Sequence, residues 1–374
     1  MNGMTRMSTS ALALLGCAVL ALAAGPAAAD AVEEAKAYVE KVSKPNPPWD
    51  GPTSGPKAAE GKTLVYVSTD QRNGGARGVG EGVEEAAGKL GWTVRVLDGQ
   101  GSVSARSSAL AQAIASKPDA IILGAIDATE QSSAVEEAAK QGITVIGWHA
   151  YAKAGPHDSM PIFTNITTDP MEVAKAAASY AVAESNGTAG AVIFTDSVYE
   201  IAVAKANAMA DIIKACSGCK MLELVDTPLA DASTRMPPLT TALLQRYGDQ
   251  WTYALSINDL TFDFMAPSLA AAGIAGDGNP RNISAGDGSG AAFQRIQQEE
   301  HQIGTVAEPL RLHGWQIVDE ANRAFAGEKD SGYVAPAHLF LPTNVDKDGG
   351  PKGIYDPENG YTDAYLKIWG VAAG

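Results

Sequence analysis

Positive charge is scarce in this chain: 28 Lys and Arg stand against 43 Asp and Glu, a formal net charge of −15 over 374 residues. So large a negative excess argues against nucleic acid or an anionic membrane surface as partner and serves solubility. Catalytic signatures are missing too. The five histidines show no H-E-x-x-H or similar metal spacing. The nearest approach to a nucleophile elbow, "GDGSG" at 286–290, carries its serine one place too late. The glycine-rich stretch "STDQRNGGARGVGEGVEEAA" at 68–87 offers Gly78 and Gly80 but Val83 where a dinucleotide fingerprint needs its third glycine, and no Gly-Lys-Ser/Thr follows. Beyond the N-terminus no apolar run approaches membrane-spanning length. Cysteine is limited to three residues, which leaves little redox chemistry to place.

Residues 1–29 combine Arg6, a run of small and aliphatic residues and an Ala-x-Ala ending before Asp30, the three parts of a cleaved secretory signal. Cys17 in "LLGC" loosely resembles a lipoprotein box, but the apolar residues continue past it. In an exported chain the close pair Cys216 and Cys219 reads as a small disulfide; a zinc half-site would need two more ligands. A redox pair is the sharper alternative, yet "CSGC" follows a helical run instead of opening one.

Residues 30–61 form a leader, a short helix over "AVEEAKAYVEKV" and then a proline-rich stretch that prevents regular structure. From residue 62 short, continuously apolar, β-branched strands alternate with helices bearing one apolar stripe, from "TLVYV" to "TVIGW" and again from "AVIFT" to "IGTVA". This alternation predicts an α/β protein with two parallel sheets, each covered by helices on both faces. Ligands of such sheets sit outside the carboxyl ends of the strands, so two facing lobes make a clamp.

Several segments in order, "VYVSTDQRN", "GWTVRVLDGQGSVSARSSALAQAIASKPDAIILGAID", "TVIGWHA", "ALSINDLTFDFMAPSLAAAG", "ISAGDGSGAAFQRIQQ" and "IGTVAEP", resemble the type I periplasmic solute-binding proteins of ABC importers, in their ribose and sugar-binding branch. The resemblance covers about residues 62–345. It implies two Rossmann-like lobes, residues 62–165 with 308–336 and 166–307 with 337–374, joined by a three-segment hinge with the ligand cleft between them. It also implies a periplasmic monomer without a cofactor or metal, an ABC permease as partner, and a chemoreceptor as a further possible partner. The family's ligand contacts fall on Thr69, Asp70, Asn73, Asp127, Trp148 and His149 of the first lobe, on Tyr199 or Glu200, Arg235, Asn258 and Asp287 of the second, and on Glu308 at the crossover. Carboxylates and amides pair with hydroxyls, and a ring covers a sugar's C–H face.

The first loop departs from the pattern, reading "QRNGGARG" where relatives often carry bulky aromatics. Arg72, Arg77 and Arg235 therefore open a second reading, an anionic or aromatic solute held by guanidinium groups. Several residues also have plainer readings: Asn258, Asp287 and Asp127 as helix caps, Trp148 as core filler, His149 as a structural histidine and Arg72 as a surface charge. Trp49, Trp251 and Trp315 read as packing. The rival class is a secreted glycosidase, which needs two carboxylates across a cleft; no pair among the 43 acidic residues is singled out for that role.

Overall fold

The computed structural model describes Met1, residues 26–347 and residues 352–372. Apart from Met1 and the backbone of residues 26–29, the expected signal peptide lies outside the described residues, as does Cys17. Among the described residues no helix is long and apolar enough to cross a membrane.

After α1 (Pro26–Val42) and an irregular stretch come β1 (Thr63–Ser68), α2 (Gly74–Lys89), β2 (Thr93–Asp98), α3 (Val103–Ala115), β3 (Ala120–Gly124), α4 (Ser132–Lys140), β4 (Thr144–Trp148) and β5 (Thr164–Ile166). Residues 64–68 and 120–124 are buried without a break, as strands sandwiched between helices must be. The five strands form one parallel sheet in the order β2-β1-β3-β4-β5. Three-residue β5, too short to show a period, is the one strand of this sheet that the sequence pattern does not announce.

The second run is α5 (Pro170–Glu184), β6 (Gly190–Thr195), α6 (Glu200–Ala215), β7 (Lys220–Asp226), α7 (Ala232–Tyr247), β8 (Tyr253–Ser256), α8 (Leu260–Ala271), β9 (Arg281–Ser284), α9 (Gly290–Gln298) and β10 (Gly304–Ala307), followed by α10 (Leu310–Phe325), β11 (His338–Phe340) and α11 (Tyr361–Trp369). Its sheet is ordered β11-β10-β9-β8-β6-β7, parallel except for β11. Leaving out β11, both sheets share one winding, with strand order reversing between β1 and β3 in the first and between β6 and β8 in the second. Such a switch point opens a crevice at the strands' carboxyl ends. Cys216 and Cys219 are joined as a disulfide after α6, their Cα atoms 5.3 Å apart.

Between β5 and β11 the chain crosses between the sheets three times: after β5, after β10, and between α10 and β11. Helix α5 packs on α6 of the second sheet, and α10 packs on α2 of the first. The glycines of α2 find their use there. A side chain on Gly314 of α10 would run into the backbone of Gly82, so this glycine pair sets the close approach of the hinge helix. Gly78 and Gly82 are the packing glycines of this contact, facing Leu310 and Arg311 of α10.

The proline-rich leader makes a fourth connection. Helix α1 packs on α5, with the Tyr38 hydroxyl donating to Glu172 Oε2 at 2.6 Å. Further on, Asn344 Nδ2 donates to Ser43 O at 3.1 Å and Tyr355 donates to Asn46 Oδ1 at 2.6 Å. The leader then lies on the first lobe: Trp49 packs against the rings of Tyr333 and Tyr365 at 5.0 and 5.3 Å, Asn322 Nδ2 donates to Pro56 O, and Ala58 N–H donates to Trp369 O.

The tail departs from expectation. The resemblance places residues 337–374 as a block in the second lobe, and β11 does join the second sheet. Helix α11, however, buries Tyr361, Tyr365 and Trp369 in the core under the first sheet, where Trp369 stacks on Trp315 at 5.6 Å and its Nε1 donates to Asp319 Oδ1 at 2.8 Å. The aromatic face of α11 has its partners on α10, which sequence order does not reveal. Trp251 and Trp315, each 1% exposed, and partly buried Trp49 are packing residues.

Candidate functional site

Loops from the two switch points meet around a cavity of about 40 Å³. Thr69, Asn73, Ala125 and His149 line it from the first lobe. Tyr199, Ile201, Ala202, Lys205, Leu229, Ile257, Asn258 and Asp287 line it from the second.

Thr69 directly follows β1, and its hydroxyl shares a 3.0 Å hydrogen bond with the Tyr199 hydroxyl across the cleft. Asn73 caps α2, its side-chain oxygen accepting from Gly75 and Ala76 N–H at 2.9 and 3.2 Å. Asn258 combines the cap and cleft readings. Its oxygen accepts from Leu260 N–H at 2.9 Å, while Nδ2 donates to Asp287 Oδ2 at 2.6 Å. Asp287 does not cap α9, a task that Ser289 performs. With φ at +57° it instead turns toward the first lobe, where a side chain on Gly75 would meet its carboxylate. His149 also has a left-handed backbone, φ +53°. Its Nε2 lies 2.9 Å from Glu308 Oε2, and its ring stacks on Trp148 at 4.0 Å.

Electrostatics divide this cluster. Burial pushes the Asp287 carboxyl up, with Glu308 adding to the shift and His149 and Lys205 opposing it. Burial also pushes Glu308 up, but His149 by charge and hydrogen bond, and then His313 and Lys205, outweigh it and hold Glu308 at about 2. Burial drives His313 down to about 4. Behind the cavity, burial raises Asp259 to about 6, although it accepts from Gln302 Nε2 at 2.7 Å and Gly288 N–H at 2.8 Å. Asp259 thereby fixes the loop that carries Asp287.

Seven of the expected contacts do not line this cavity. Asp70 is taken by Arg72, whose Nη2 sits 2.6 Å away and whose side chain is 64% exposed. Arg235 is 55% exposed and faces Asp231 one helical turn away at 3.4 Å. Trp148 is core, fully buried, with Nε1 donating to His313 Nδ1 at 3.1 Å; the His149 ring covers the face expected for a ligand. The Glu200 side chain is exposed, and its backbone N–H carries the contact instead: it donates to Asp127 Oδ2 at 3.0 Å. Asp127, which also accepts from Thr129 and Glu130 N–H, is thus a clasp between lobes. Glu308 stands behind His149 in the second crossover, where it also accepts from Thr168 N–H at 3.1 Å in the first.

Sequence reasoning missed Lys205, which is 3% exposed and ties the ends of β8 and β9 by donating to Ile257 O and Ala285 O at 3.1 and 2.6 Å. The signal was there: Lys205 interrupts the buried stripe of Ile201, Ala202, Ala206 and Met209 on α6. It also missed Arg106, 1% exposed, whose Nε donates to Glu130 Oε1 at 3.0 Å beneath the Tyr199 ring.

Solved structures share this fold at low sequence identity. A sugar ABC transporter protein from Yersinia enterocolitica matches with TM-score 0.68 and 16% identity, covering 85% of this chain and 100% of that one. The arabinose-binding component from Shewanella sp. ANA-3 matches with TM-score 0.65 and 18% identity over 82% of this chain and 98% of its own. An Agrobacterium vitis ABC transporter solute-binding protein with bound allitol matches with TM-score 0.64 and 20% identity over 77% and 98%. No curated protein matches the sequence. Residues 64–329 match the family model described as a periplasmic binding protein domain. With two doubly wound sheets closing on one cavity and most of the chain matched by that model, the chain belongs to the periplasmic binding protein domain family.

Proposed function

We propose that this chain is the periplasmic substrate-binding component of an ABC importer, closing on a small neutral polyhydroxylated solute, a monosaccharide or polyol, and delivering it to a membrane permease. The observation that carries this reading is the cavity shared by both switch points, lined by Thr69, Asn73, Asn258, Asp287 and Tyr199 among apolar Ile201, Leu229 and Ile257. Hydroxyls need this mixture of donors and acceptors, and C–H faces need the rest. Binding across two lobes stabilises the closed state, the state a permease can recognise. Relatives that share the fold bind allitol and arabinofuranose.

The anionic reading has less support, because Arg72, Arg77 and Arg235 pair with carboxylates outside the cavity and Arg106 is committed to Glu130. Arg72→Ala and Arg235→Ala are accordingly expected to change solute affinity by less than about twofold in calorimetric titration, well below a charge-assisted hydrogen bond. Thermal-shift screening against pentoses, hexoses, polyols and small organic acids tests the reading itself. A neutral polyol or sugar should raise the melting temperature, be retained unchanged in native mass spectrometry, and bind near micromolar, about −8 kcal/mol. A response confined to organic acids, or conversion of the solute to product, would overturn it.

A further inference from the structure

Helix α3 buries Arg106, Ala109, Leu110, Ala113 and Ile114, the spacing of one buried stripe, and the first member of that stripe is a cation. Arg106 is 1% exposed, and a buried guanidinium needs partners for its donors. Glu130 supplies two: Nε donates to Oε1 at 3.0 Å and Nη2 to Oε2 at 2.5 Å. Nη1 turns to the Thr69 hydroxyl at 3.5 Å, a long, weak contact. Further cover comes from the other lobe. The Tyr199 ring, just before α6, lies 5.8 Å from the guanidinium carbon, within cation–π range, and its hydroxyl meets Thr69 Oγ1 at 3.0 Å. Asp196, directly after β6, adds an attractive charge. Tyr199 lines the cavity and Arg106 does not, so the cation backs the ring.

The residue after Tyr199 is gripped as well. Tyr199 precedes α6 without giving it a side-chain cap. The cap comes from the first lobe, where Asp127 Oδ2 accepts from Glu200 N–H at 3.0 Å and sets a carboxylate at the positive end of the helix. Asp127 Oδ1 meanwhile accepts from Glu130 N–H at 3.1 Å, which places the residue that clamps Arg106. Thr69, Arg106 and Asp127 of the first lobe thus hold two consecutive residues of the second, through protein atoms alone. Parting the lobes would uncap α6 and take the ring from the guanidinium.

We propose that Arg106 is a positioning residue of the cavity: clamped by Glu130, it holds Tyr199 against Thr69 across the cleft and, with Asp127, latches the two lobes together without help from a solute. Latched lobes offer a solute a wall already assembled, and apparent affinity rises with the fraction of molecules in that state. The latch stands on side-chain contacts; its effect on affinity rests on the solute-binding reading.

Amide hydrogen exchange of the full chain, followed by NMR with no solute added, is the test, because Glu200 N–H is itself one of the latch bonds. That amide should be protected in the native chain and exchange on the order of tenfold faster in Arg106→Gln and in Tyr199→Leu. Amides of β6, which pairs with β8 inside one lobe, should keep their native rates and so report folding. With both substitutions together, Glu200 should exchange within about twofold of its rate in Tyr199→Leu alone, whereas a residue that merely props the fold would add its full effect. Tyr199→Leu leaves the Arg106–Glu130 pair in place and carries the test if Arg106→Gln loses protection in β6. An unprotected Glu200 amide in the native chain, a native rate in Tyr199→Leu, or additive effects in the double variant would overturn the latch. Because no solute is present, that failure leaves the sugar reading standing, and a screen in which no sugar or polyol binds sinks the sugar reading while leaving the latch.

Discussion

Glu308→Gln is expected to lower the unfolding free energy by about 3 kcal/mol at neutral pH and to weaken solute binding as the hinge loosens. Glu308 is 1% exposed and accepts from His149 of the first lobe and from Thr168 N–H of the neighbouring crossover. It therefore joins two of the three crossings. Burial opposes its charge, but the contact with His149, with His313 and Lys205 nearby, holds it at about 2, below the ordinary 4.5. A depressed folded value means stabilisation that is complete above about 4.5 and disappears as pH falls toward about 2, worth about 3 kcal/mol by linkage. Urea denaturation at about pH 7 and about pH 3 should show that loss in the native chain and its absence in the variant. Equal stability of the two proteins at neutral pH would remove Glu308 from this role. Glu320 and Asp259 act with opposite sign: burial raises them to about 7 and about 6, so the stability they favour is full at low pH and is lost as pH rises through those values.

Asp287→Ala should weaken solute affinity on the order of 100-fold, about 3 kcal/mol. The change removes a buried carboxylate from the cavity wall and leaves the Asn258 amide, now held at 2.6 Å, without its acceptor. It also places alanine at φ +57°, which adds a backbone cost of about 1 kcal/mol to the folded state. Asp287→Asn separates these effects because asparagine accepts that backbone, so its affinity loss reports the charge alone. Isothermal titration with the best solute of the screen measures both variants. Affinity within about threefold of the native value in Asp287→Ala, far below the cost of an unpaired buried amide, would move the site elsewhere.

The rhythm of strands and helices was legible because a parallel strand buried on both faces must be continuously apolar and its covering helix must carry a stripe. Once that rhythm is read, polar residues at strand ends become candidates, and Thr69, Asn73, His149, Tyr199, Asn258 and Asp287 do line the cavity. What failed was direction and partnership. A guanidinium in the sequence does not say that Asp70 or Asp231 already neutralises it, so Arg72 and Arg235 looked available. Trp148 sits at a strand end, yet it faces the core and is capped by His149. Lys205 was hidden because a lysine in a helix normally marks the solvated face. That the leader packs on a domain surface was legible, but not where: Asn46 meets Tyr355 at a separation of 309 residues, whereas α11 finds Asp319 only 50 residues back.

That distance has a temporal consequence. Residues 43–59 are synthesised early, but Asn322, Tyr355 and Trp369, to which this segment bonds, are synthesised last. The leader cannot seat until both sheets exist and the final helix is in place, because the long loop it closes repays its entropy only with those contacts. A chain cut before Trp369 lacks the carbonyl that accepts from Ala58 N–H and the ring that stacks on Trp315, so the end of the leader loses part of its seat.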